Sequence, residues 1–190
     1  MRRLRPILGV LPVVGALFAC AREPQTPKGG DPPMSITLKS EAFAAGGAIP
    51  TRHTGDGEDV SPALSWSGLP DGTRHLALVC DDPDAPSAKP WVHWVIYQIP
   101  ADVTGLDEGV RTSERLESPA GAAQGANSWG TIGYRGPAPP RGHGTHHYNF
   151  TLYALDSALS LKPRLDKDEL LSAIDAHVLA KGELVGTYSR

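Results

Sequence analysis

Between Ile99 and Tyr148 no stretch keeps a helical or strand period for long, because Gly109, Gly121, Gly125, Gly130, Gly133, Gly136, Pro137, Pro139, Pro140, Gly142 and Gly144 interrupt it. Glycine opens left-handed backbone and proline removes an amide donor, which argues against a helical bundle built through this region. A segment of this length without periodicity is either a linker or a loop that builds a site. It carries Trp129, Tyr134 and the histidines 143, 146 and 147. That is not the composition of disorder, so an ordered binding loop is expected. The whole chain, with Gly 21 and Pro 18 in 190 residues, reads the same way, as short strands joined by turns in one domain.

Five runs have strand patterning: 35–39, 63–67, 75–81, 92–99 and 148–155. In the last, Tyr148, Phe150, Leu152 and Ala154 alternate with Asn149, Thr151, Tyr153 and Leu155. Both faces carry bulk, which predicts a central strand. Leu76-Ala77-Leu78-Val79-Cys80 is apolar throughout and predicts a strand covered on both faces, with Cys80 as a packed core residue. The one good helix is expected over 167–181. Asp166 is its N-cap, Glu169 the capping-box partner, Leu170, Leu171, Ile174 and Val178 the apolar stripe, and Gly182 the stop. Residues 183–188 are expected to add an edge segment.

The N-terminus reads as an address. Arg2, Arg3 and Arg5 precede an apolar run from Ile7 to Ala19, too short for the roughly 20 residues that span a bilayer. Leu17-Phe18-Ala19-Cys20 resembles a bacterial lipobox, which implies a signal peptide over 1–19 and a lipidated Cys20. Residues 20–34, with Pro24, Pro27, Pro32 and Pro33, read as a tether, and the folded domain follows over 35–190. Ala21 favours the periplasmic side of the outer membrane, with plain secretion as the alternative. The leader takes three arginines with it, leaving the mature chain more acidic than the whole chain's charge of -3.

Charged residues make up 21% of the chain, mixed in sign and without a basic run, so no footprint for nucleic acid exists. Two cysteines make neither a disulfide scaffold nor a thiolate zinc cluster. Three segments concentrate chemistry. Asp81-Asp82-Pro83-Asp84-Ala85-Pro86 follows the buried strand, and its prolines restrict the carboxylates of Asp82 and Asp84. Trp91-Val92-His93-Trp94 opens the next strand, where period two puts His93 opposite Trp94. The third, from Gly133 to Tyr148, leads into the central strand. If the three strands are neighbours, these segments meet at one sheet end and enclose a small cavity. Taken singly, each also reads as an ordinary polar turn, strand residue or surface loop.

Asp82-Pro83-Asp84-Ala85-Pro86, His93-Trp94-Val95, Gly133-Tyr134 with Gly136-Pro137 and Pro139-Pro140, and Gly144-Thr145-His146 before Tyr148-Asn149-Phe150 together resemble the phosphatidylethanolamine-binding protein family. The similarity is to its bacterial, Raf kinase inhibitor-like branch. The resemblance implies a mainly β, sandwich-like fold: a large central antiparallel sheet, a smaller second sheet, and peripheral helices including a C-terminal one. It implies a pocket for phosphate-like anions or phospholipid headgroups, with Asp82 and Asp84 in or beside it and His93 and His146 facing the anion. Tyr134 would line the mouth and Gly144 would give the backbone room to turn. It implies no cofactor, and it extends to inhibition of a protein partner. One departure stands out: the family's Gly-x-His-Arg reads Gly144-Thr145-His146-His147, exchanging a permanent charge for a group that titrates near neutrality. Two other functions compete. A hydrolase would use Asp84 or His146 as a base, although no Gly-x-Ser-x-Gly or phosphate-cradling Gly-Lys-Ser/Thr is present. A weak metal site would use His143, His146 and His147 with Asp82 or His93.

Overall fold

The computed structural model describes residues 36–190. The expected leader, the lipidated Cys20 and the tether lie outside the described residues. The elements are β1 (Thr37–Ser40), β2 (Leu64–Ser67), β3 (His75–Asp82), β4 (Trp91–Pro100), β5 (Gly105–Leu106), β6 (Ala123–Gln124), β7 (His146–Leu155), α1 (Lys167–Ile174) and β8 (Val178–Tyr188). They form a five-stranded sheet in the order β6-β4-β3-β7-β8 and a three-stranded sheet in the order β1-β2-β5. Every pairing is antiparallel. The fold is therefore mainly β, with a larger and a smaller sheet.

One core lies between the sheets. Leu76, Leu78 and Cys80 of β3, Trp94 and Ile96 of β4, and Tyr148, Phe150 and Leu152 of β7 pack with Leu38, Leu64, Trp66 and Leu106 of the small sheet. A second core covers the outer face of the large sheet, where Ala77, Val79, Val95 and Tyr97 meet Leu165, Leu170 and Ile174. The continuous apolar run of β3 thus has cover on both sides, and β7 lies inside the sheet between β3 and β8.

The helix starts as its sequence signals require. Asp166 accepts from the Glu169 amide at 2.8 Å, and Glu169 accepts from the Asp166 amide at 3.1 Å. It does not reach residue 181. It stops at Ile174, passes through a 3-10 turn over Asp175–His177, and gives way to β8. The cause is β7, which pairs with β8 from His146↔Tyr188 to Leu155↔Val178. A ladder of that length outweighs the helix propensity of a few residues. Gly182 is not a helix stop. A Cβ there would lie 2.5 Å from the carbonyl oxygen of Ile36 and 2.7 Å from its Cβ, so the glycine lets the N-terminal segment close against β8.

Candidate ligand-binding site

Because β4, β3 and β7 are antiparallel neighbours, the end of β3 and the starts of β4 and β7 lie at the same end of the sheet. A cavity of about 240 Å3 opens there. Asp82, His93, His146 and Tyr148 come from the strands, together with Trp91. Ala85, Pro86 and Ser87 come from the turn after β3, and Trp129, Ala138, Pro139 and Pro140 from the long loop.

His93 occupies a β-bulge. Cys80 pairs with Trp94 and Asp81 with Val92, leaving His93 as the extra residue. A bulge ends strict alternation and re-aims the side chain. The expectation that His93 faces away from Trp94 therefore fails: its ring lies edge-on to Tyr148, 5.1 Å between centroids, and Tyr148 shares the inter-sheet core with Trp94. His93 Nδ1 donates to the Arg135 carbonyl at 2.5 Å, and the Arg135 amide donates back to the His93 carbonyl at 3.0 Å. Burial lowers the His93 pKa from its ordinary value, so the ring is neutral near pH 7 and Nε2 is a bare acceptor.

His146 is held from both sides. Its Nδ1 meets Asp82 Oδ2 at 2.7 Å, and its Nε2 meets His143 Nδ1 at 2.9 Å. The other Asp82 oxygen accepts the Asp84 amide at 2.8 Å. Asp82 thus orients the imidazole and pins the turn that follows β3. Tyr148 differs from all of these. It is 1% exposed, and its hydroxyl has no hydrogen-bond partner among the described residues. Burial pushes its phenol far above the ordinary range, so the group stays protonated and keeps a donor to offer.

The aromatic wall is built locally. Asn127 Oδ1 accepts from the amides of Trp129 and Thr131, each at 3.1 Å, and from the Thr131 hydroxyl at 3.0 Å. That turn sets Trp129 edge-on against Trp91 and His93, with centroids 5.3 and 5.1 Å away. The proline wall is anchored by Arg190, which donates to the carbonyls of Ala138 and Pro139 at 3.5 and 3.4 Å.

Of the residues singled out in the sequence, Asp82, His93 and His146 line the cavity. Asp84 does not. Its Oδ2 accepts from the His147 amide at 2.8 Å and meets His147 Nδ1 at 2.7 Å, and these bonds hold its pKa below the ordinary carboxylate value. His147, the departure from the Gly-x-His-Arg pattern, thus pairs with the Asp84 carboxylate through its imidazole. Tyr134 is a core residue and not part of the mouth: its ring lies edge-on to Trp94 and its hydroxyl donates to the His53 carbonyl at 2.7 Å. Gly144, at φ 90, turns the chain into β7 without lining the cavity. Sequence reasoning missed Tyr148, Trp91, Trp129 and Ser87 as lining residues. Among the described residues no group of three His, Cys, Asp or Glu side chains converges to hold a metal; His143 and His146 bond each other while His147 turns to Asp84.

A family model described as phosphatidylethanolamine-binding protein matches residues 39–189. The chain belongs to this family. A UPF0098 protein of Methanothermobacter thermautotrophicus is 53% identical over 155 residues, 82% of this chain and 99% of the relative. The crystal structure of a family homologue from Chlamydia trachomatis superposes with a TM-score of 0.73 at 38% identity, covering 82% of this chain and 98% of that one. Escherichia coli YbcL, described as a new member of the mammalian PEBP family, superposes with a TM-score of 0.76 at 31% identity, covering 82% of this chain and 99% of that one. The relatives include archaeal proteins, so the resemblance extends beyond the bacterial branch.

Proposed function

We propose that this family member is a binding protein whose cavity takes a phosphate-like anion or a phospholipid headgroup. The observation that carries the reading is the Tyr148 hydroxyl, a buried donor without a partner on the cavity's lining. Buried polar groups are nearly always satisfied, and an orphan beside a cavity points to a ligand oxygen as its partner. The bare Nε2 of His93 suits a ligand that brings a proton with it, as a hydrogen phosphate does, or draws one onto the ring. The volume of about 240 Å3 fits a headgroup and not a large substrate. A hydrolytic role is less well supported, because Asp84 is outside the cavity and both ring nitrogens of His146 are engaged.

A thermal-shift titration of the full chain with inorganic phosphate, phosphoethanolamine and zinc tests this. Phosphate compounds are expected to raise the melting temperature of the wild type, and His146→Ala to lose the gain while remaining folded. A response to zinc alone, or none to either phosphate, overturns the reading.

The lipobox-like Leu17-Phe18-Ala19-Cys20 supports export and anchoring in the cell envelope, on the periplasmic face of the outer membrane. There the protein meets headgroups and extracytoplasmic partners rather than cytoplasmic kinases. Metabolic labelling with an alkyne fatty acid is expected to mark the wild type and not Cys20→Ser; equal labelling refutes it.

A further inference from the structure

The cavity's own lining has little positive charge with which to hold an anion. His93 is neutral, and His146 faces the Asp82 carboxylate at 2.7 Å. Most cations near the walls are already engaged. Arg190 is held by Asp56 through contacts of 2.5 and 2.9 Å, and Lys89 by Asp168 at 2.6 Å. Arg141 sits in the field of Asp56.

Arg135 is placed differently. Its backbone exchanges hydrogen bonds with His93 in both directions, so its Cα is fixed beside a lining residue. Its side chain is exposed and makes no ion pair among the described residues. The guanidinium carbon lies 4.7 Å from the ring centroid of Trp129, which is itself part of the cavity wall. A cation on an exposed aromatic face is held weakly and exchanges readily for a stronger partner. A phosphate oxygen pair is such a partner, because the planar guanidinium matches it with two parallel N-H bonds.

We propose that Arg135 is the anion-selecting residue of this cavity, parked on Trp129 when the cavity is free and pairing with the phosphate-like group when it is filled. The inference rests on the reading of the cavity as an anion site and assigns the group that supplies its permanent charge. The same pairing serves a phosphate monoester and the phosphodiester of a lipid headgroup.

Calorimetric titration of the full chain separates the possibilities, with inorganic phosphate and glycerophosphoethanolamine as two arms at low and high sodium chloride. Arg135→Gln is expected to weaken binding in either arm about tenfold at low salt and to flatten the salt dependence, since a screened charge has been removed. Arg135→Lys is expected to recover part of the loss, keeping the charge without the fork. Arg141→Gln, a neighbouring exposed arginine, is expected to leave the dissociation constant unchanged. Stronger binding of inorganic phosphate than of the diester identifies a free phosphate group, not a lipid, as the source, and the reverse identifies a lipid headgroup. Wild-type affinity and salt dependence in Arg135→Gln, with binding lost in Tyr148→Phe, overturns the assignment of Arg135 and leaves the cavity reading intact. An equal loss in Arg141→Gln also overturns it, because the effect would then be a diffuse field. No binding of either probe by the wild type overturns the cavity reading and this inference with it.

Discussion

Replacing Tyr148 by phenylalanine removes one oxygen and leaves the ring to pack against His93 as before. That oxygen is buried without a hydrogen-bond partner among the described residues, a condition that costs about 1–3 kcal/mol for a hydroxyl. Tyr148→Phe should therefore stabilise the free protein by about 1 kcal/mol, or about 2–4 °C in melting temperature for a chain of this size. Ligand reverses the order. At a phosphate concentration one hundred times Kd the wild type gains about 2.7 kcal/mol, and the variant, lacking the donor, gains far less. The two melting curves should thus cross: the variant melts higher in phosphate-free buffer, the wild type higher in phosphate. Calorimetric scans at pH 7.5 with and without phosphate read both quantities. Because burial keeps the phenol protonated, the same crossing is expected at pH 9. A variant that melts below the wild type in phosphate-free buffer would refute the reasoning, since the hydroxyl would then have a partner to lose.

Gly182→Ala places a Cβ 2.5 Å from the Ile36 carbonyl oxygen and should destabilise by about 1–3 kcal/mol through overpacking; an unchanged urea midpoint would mean that this contact is not part of the folded state. Gln124→Leu strips the Trp94 indole N-H, now donating at 2.7 Å, and leaves the carbonyls of Arg111 and Ser113 without their donor. The loss should be about 3 kcal/mol or more in a urea titration, and a loss near zero would show that other groups take over. His93 contributes a defined pH slope. Its pKa is lowered by burial, so below the ordinary value of about 6.5 the unfolded chain takes a proton that the folded chain refuses. Stability should fall as pH drops from about 6.5 towards the folded pKa, and the difference between wild type and His93→Gln isolates that slope. A difference that grows in the opposite direction would show that the folded ring is protonated.

Much of the fold is legible from local chemistry. Leu76 to Cys80 shows a doubly covered strand because burial on two faces leaves no polar position, and Tyr148 to Ala154 shows a central one because both faces carry bulk. The capping box of Asp166 and Glu169 marks where α1 begins, since both partners lie within one turn. The three segments that hold Asp82, His93 and His146 stand out by their residue types, but it was the family resemblance that singled out these residues, together with Asp84, Tyr134 and Gly144, which do not line the cavity.

The rest depends on partners distant in sequence. Residues 167–181 satisfy a helical stripe, yet Ala180, Gly182, Leu184 and Gly186 also alternate at period two, and local pattern has no means to choose. Pairing with β7 chooses the strand. The same holds for side chains: the bulge at His93 exists only relative to β3, and Tyr134 turns inward because the His53 carbonyl is there to accept its hydroxyl. Sequence alone marked the bodies of β1 to β4 and β7 and the start of the helix, because those follow from short-range periodicity and capping, whereas β5 and β6, two residues each, carry no such pattern and the meeting of the three site segments depends on the adjacency of β3, β4 and β7. Only the tertiary structure decided where the helix stops, which way His93 and Tyr134 face, and that Tyr148 keeps an unpaired donor, because each is set by hydrogen bonds to residues brought near by folding.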